Sequence, residues 1–150
     1  MTGRKAGLGL LLGVICVGFC YATPREDESV DQLKAKVAST SLGDRPHLCI
    51  QIAEKQLDAS DKLFASADVE KARTALTDVV AYSELARDYA IQTHKYQKQS
   101  EIAVRRMAHK LTDILHTMGR DDQGPVRDAV DRLEQVRDDL LVSMFKKGAK

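Results

Sequence analysis

The 150-residue chain has no tryptophan, three prolines, nine glycines and three cysteines, and aromatic residues make up 5% of it. Five of the glycines and two of the cysteines fall within the first 22 residues, and His47 to Met118 contains neither glycine nor proline. A chain so poor in turn formers, with 30% charged residues and many Ala, Leu, Glu, Lys and Arg, favours helix over sheet. Charge of one sign is lacking too: 23 basic residues meet 22 acidic ones for a net +1. That balance lacks the electrostatic footprint of a dedicated nucleic-acid binder. The length is that of one modest domain.

The one long hydrophobic run lies at the start. Arg4 and Lys5 precede an uncharged stretch from Ala6 to Ala22, giving the basic, apolar and small-residue regions of a secretory signal in that order. Cys20-Tyr21-Ala22 supplies small residues three and one before a cut, so cleavage is expected between Ala22 and Thr23. A retained membrane anchor is the minor alternative. The stretch is shorter than the ~20 apolar residues a spanning helix needs, and glycines dilute it, so no stable membrane span is expected after cleavage. Ile15 and Phe19 precede Cys16 and Cys20 where lipid attachment requires a small residue. Without Arg4 and Lys5, 21 bases face 22 acids, a net −1. Export to a bacterial periplasm, or secretion, is the expected location. Only Cys49 then remains, which excludes an internal disulfide. Within Leu48-Cys49-Ile50-Gln51-Ile52 it reads as a small core hydrophobe rather than a bridge between chains.

Residues 23–45 read as a flexible or partly helical tether, in which Val30, Leu33 and Val37 recur at helical spacing over a short run. A helical domain over residues 46–147 follows, with helices at about 46–65, 68–118 and 124–146. Asp44 is placed to cap the first, with Pro46 in its first turn. The middle segment carries a heptad seam of alternate four- and three-residue steps: Ala72, Leu76, Val79, Ser83, Ala86, Ala90, Thr93, Gln97, Ser100, Val104, Met107, Leu111, Ile114, Met118. Its ends are aliphatic and its middle small or polar. Two all-α architectures satisfy the lengths. One is a long central helix with a shorter antiparallel helix packed on each half. The alternative is a break near Thr93 to Gln99 that makes a four-helix up-down bundle. No glycine or proline lies between 90 and 101, and this favours the continuous helix. Gly119 is expected to close it, and Gly124-Pro125 to open the last helix.

Tyr82, Tyr89 and Tyr96 recur every seven residues beside the small part of the seam. The stripe reads either as core filling or as a contact surface formed by Tyr82, Tyr89, Thr93, His94, Tyr96 and Gln97. His109, Asp113 and His116 share a helical face with metal-ligand spacing, yet lie opposite Met107, Leu111 and Ile114 and so read as a solvated face. No metal site, cofactor or catalytic constellation is expected, since the di-iron and covalent-haem signatures, the nucleophile elbow and the phosphate loop are all missing. Residues 95–110 sum to +4 and residues 121–139 to −4, and these runs are expected to face each other and pair their helices.

The expected function is non-enzymatic. An exported helical protein would act by helix-mediated contact with a protein partner or by homo-oligomerisation in the cell envelope. Alternatives are a periplasmic bundle binding a small ligand or metal through Ser83, Tyr89, Thr93, Gln97 and Ser100, or a periplasmic chaperone or stress sensor.

Overall fold

The computed structural model describes residues 28–146, so the expected signal and the Ala22/Thr23 cut lie outside the described residues. Among the described residues the chain is all-helical: α1 (Val30–Ser39), α2 (Arg45–Ala65), α3 (Val69–Thr93), α4 (Gln97–Thr117), a 3-10 turn (Arg120–Asp122) and α5 (Gln123–Lys146). None of these helices is long and apolar enough to cross a membrane.

The expected continuous helix over 68–118 is overturned. It is divided at His94-Lys95-Tyr96, although neither glycine nor proline is there. His94 and Tyr96 take left-handed conformations, with φ of 56° and 59°. A left-handed residue bearing a Cβ costs roughly 1–2 kcal/mol, so the turn must be held by its surroundings. The Lys95 N–H donates to Thr93 Oγ1 (3.4 Å), whose hydroxyl donates to the Tyr89 carbonyl (2.7 Å). The Tyr96 ring stacks on His47 at 5.8 Å. The Lys95 side chain lies over Gly43, where an added Cβ would stand 2.8 Å from Lys95 Cδ. Tertiary contacts, rather than a breaker residue, stop this helix.

The division yields the four-helix alternative, as two antiparallel hairpins. α2 packs on α3, and α4 packs on α5. The hairpins stack with α2 along α4 and α3 along α5, while the backbones of α2 and α5 are not neighbours. Both stacked pairs run parallel: Arg106 meets Glu54 (2.8 Å) and, one turn on, Lys110 meets Asp58 (2.6 Å). Likewise Arg132 bonds Glu84, and Arg87 bonds Asp139 (3.0 Å). The turns at residues 66–68 and 118–122 therefore share one pole of the bundle, and residues 94–96 lie at the other.

The seam fills the interior. Ala72, Val79, Ala86, Ala90, Val104 and Leu111 are fully buried, facing Cys49, Ile52, Ala53, Val126, Leu133, Val136 and Leu140. Removing a large aliphatic side chain from such a site costs about 2–5 kcal/mol. The buried Ser60 and Ser83 hydroxyls donate within their own helices, to the Leu57 (2.9 Å) and Val79 (2.7 Å) carbonyls.

α1 occupies part of the segment read as a tether. Ser29 and Gln32 form a reciprocal capping box, and Leu33 is 1% exposed against Leu48 and Ile52. Lys34 ties the helix to Asp78 of α3 (2.7 Å), and that same carboxylate oxygen accepts from Gln56 of α2 (2.7 Å).

Two caps differ from expectation. Asp44 precedes α2, but its carboxylate accepts from the Ser41 hydroxyl (2.7 Å) and makes no cap bond. Gly119 has φ −63°, so α4 does not end on a left-handed glycine; the Gln123 amide instead donates to the Leu115 (3.2 Å) and Met118 (3.1 Å) carbonyls.

Candidate interaction surface

The tyrosine stripe is occupied by the chain itself. Lys34 of α1 stands 5.4 Å over the Tyr82 ring, and Arg45 at the start of α2 stands 5.4 Å over Tyr89. Arg45 Nη1 also donates to the Tyr89 hydroxyl (3.5 Å). With Tyr96 stacked on His47, the three rings seat α1 and the first turn of α2. Thr93 is half-buried and its hydroxyl donates to the Tyr89 carbonyl of its own helix, while the Gln97 amide donates to Ser143 of α5 (2.7 Å). Of the six residues expected to share a contact surface, His94 is the exposed one. The other five are half-buried, with contacts to α1, α2 and α5.

The charge runs also pair differently than expected. Arg106 and Lys110 of the basic run reach Glu54, Asp58 and Asp61 of α2, not the acids of α5. Acidic Asp139 and basic Arg132 of α5 reach Arg87 and Glu84 of α3. Between α4 and α5 the ion pair is the reverse of the expectation: Glu101, the lone acid of the basic run, bonds Arg137 of the acidic run (3.2 Å). Glu101 is 7% exposed and also meets Arg105 (3.7 Å), so its charge is compensated from two sides. The runs were read as wholes, whereas pairing is set by which face each residue occupies. His109, Asp113 and His116 are exposed, and among the described residues no cluster of three or more His, Cys, Asp or Glu is placed to hold a metal.

A groove between α3 and α5 escaped the sequence reading. Leu76, Val80, Ala81, Pro125 and Ala129 line an open trough of about 420 Å³, flanked by Arg73, Glu84, Asp128 and Arg132. It exists because two parallel helices meet there through short side chains. Thr77 and Ala81, one turn apart on α3, face the side of α5 that carries Pro125 and Ala129. That row of small residues was the available signal. At its α5 N-terminal end, Arg73 donates to Glu70 (3.3 Å) while its Nε is buried without a hydrogen-bond partner. The trough thus offers an apolar floor and charged rims, which suits an apolar helix ridge or side-chain row more than a reacting substrate.

Large apolar residues exposed elsewhere gather toward the opposite pole: Leu42, Leu85, Val142 and Phe145, the last 75% exposed. No family model, curated protein or solved structure matches this chain.

Proposed function

We propose that the chain is an exported, non-enzymatic helical protein that acts by helix-mediated contact, through self-association or by docking to another envelope component, and that the α3–α5 groove makes the contact. The observation carrying this reading is the groove itself: an open apolar floor with paired charges on its rims. The export half rests on the order of basic, apolar and small residues before Thr23. Most of the interior polar groups favour contact over ligand binding, since the Ser83 and Thr93 hydroxyls are engaged with their own helix and Gln97 with Ser143, whereas the Ser100 hydroxyl is buried without a hydrogen-bond partner.

The test is photocrosslinking in cells that export the chain. A photoreactive side chain at the exposed groove residue Ala81 should yield an adduct in the envelope fraction, and its mass tells a second copy from another protein. The same group at Asp131, exposed elsewhere on α5, should yield little. Thr77→Glu should suppress the Ala81 adduct several-fold without lowering the melting temperature. An adduct of equal yield at both positions, or none at Ala81, would overturn the reading.

A further inference from the structure

We propose that the turn at His94-Lys95-Tyr96 is an exchange hinge, and that its partner is a second copy of this chain. Straightened into helix, it lets the α2–α3 hairpin of one copy pack against the α4–α5 hairpin of another, giving a domain-exchanged dimer.

Three independent features point to this. The hinge has helical composition, since no glycine or proline lies between Ala90 and Glu101, yet it holds two left-handed residues that bear side chains. Joining α3 to α4 relieves both and completes the helical hydrogen bonds across the break. The seam also stays in register: Thr93 to Gln97 is a four-residue step like its neighbours, so a joined helix of about 70 Å presents one continuous stripe. Each half of that stripe is already buried, through Ala86 and Ala90 on one side and Ser100 and Val104 on the other. Finally, the surfaces that would be exchanged are complete hairpin faces. Arg106–Glu54, Lys110–Asp58, Arg132–Glu84 and Arg87–Asp139 all join one hairpin to the other, so each re-forms between copies without a new type of contact.

What holds the turn closed is small and local: the Lys95 N–H bond to Thr93 Oγ1, the His47–Tyr96 stack and the seating of Lys95 on Gly43. The Gln97–Ser143 bond lies within one hairpin and survives exchange. Monomer and dimer thus bury nearly the same core, and concentration decides between them. Exchange preserves the α3–α5 groove, built from α3 of one copy and α5 of the other, so loss of groove docking and failure to exchange are separable results.

The experiment mixes light and nitrogen-15-labelled full-length chains in denaturant, refolds them at high concentration, and couples touching amine and carboxylate pairs with a zero-length carbodiimide. In the dimer fraction, Lys110–Asp58 links should join one light and one heavy peptide, whereas Lys34–Asp78 links, internal to the first hairpin with its α1, should stay within one isotope. His94→Ala with Tyr96→Ala should raise the dimer fraction on the order of tenfold at equal concentration, by removing the side chain that stacks on His47 and favouring helix. His94→Gly with Tyr96→Gly, which tolerates the left-handed turn and weakens helix, should lower it below wild type. The isotope readout needs the wild type alone, so an unfolded variant does not spoil it. A wild type that refolds only to monomer, or a dimer whose Lys110–Asp58 links never mix isotopes, would overturn the proposal.

Discussion

Cys49 shows how the interior sets the chemistry of a single side chain. It is fully buried, and burial pushes its thiol from 9.0 up to about 11. At pH 8 the reactive thiolate is therefore both scarce and shielded. Labelling of Cys49 by a thiol reagent at that pH, read by peptide mass, should be negligible for folded chain and should rise only with denaturant, tracking the loss of helical circular dichroism. Rapid labelling without denaturant would show that the α2 face opens on its own. This residue's setting was readable beforehand, because an apolar run at helical spacing specifies what surrounds a small side chain. His94 and Tyr96 were not readable in that way. Both have ordinary helical neighbours, and their left-handed geometry depends on His47 and Gly43, some fifty residues away in sequence.

At the scale of the element, α1 and α4 illustrate two routes to a stable helix. α4 has a long amphipathic face and would be recognised as helix anywhere. α1 has ten residues, too few to persist alone in water, and a stripe of Val30, Leu33 and Val37. Its order depends on Leu33 inserting between Leu48 and Ile52 and on Lys34 reaching Asp78. Leu33→Ala should therefore cost about 2–4 kcal/mol of α1 docking and act locally. Amide hydrogen exchange over residues 30–40 should quicken strongly while α4 and α5 keep their protection; uniform loss of protection would mean that α1 folds as one unit with the bundle. The short stripe was visible in the sequence, but its partners were not, because a three-residue pattern does not say which surface receives it. Helix type and most helix ends followed from periodicity, although the caps expected at Asp44 and Gly119 do not form. The break did not follow from periodicity, because its cause lies in contacts of the turn with Gly43 and His47, far away in sequence.

At the scale of the whole molecule, near-neutrality is distributed charge rather than absence of charge. The hairpins are stitched by exposed or half-exposed ion pairs, each worth ~0–1 kcal/mol. Lys34 and Lys110 are held above the ordinary lysine value of 10.5, chiefly by hydrogen bonds from their ammonium groups to Asp78 and Asp58. A group whose pKa is raised on folding stabilises fully below its unfolded value and loses that contribution as pH climbs through the folded one. Cys49 has the same sign over a lower window, from 9.0 to about 11. The melting temperature should therefore decline first from about pH 9 and further above 10.5, and Cys49→Ala should remove the earlier part. Lys34→Met with Lys110→Met should flatten the later part, and a melting profile level to pH 11 would contradict both assignments. This arrangement was only half legible: the basic and acidic runs are plain in the chain, but their partners follow from two hairpins stacking in parallel, which a count of charges does not reveal.

Parallel stacking also makes the order of synthesis matter. The α2–α3 hairpin is complete once Thr93 has been made, yet the helices that cover its inner face end only at Lys146. At roughly 5–20 residues per second that delay lasts seconds, whereas a helical hairpin closes in a small fraction of that time. A newborn chain thus shows a finished but half-covered surface, bearing Leu76, Val79, Ala86 and Ala90, to whatever lies beside the ribosome. Crowding of several chains on one message would favour partners that meet during that interval over partners that arrive later.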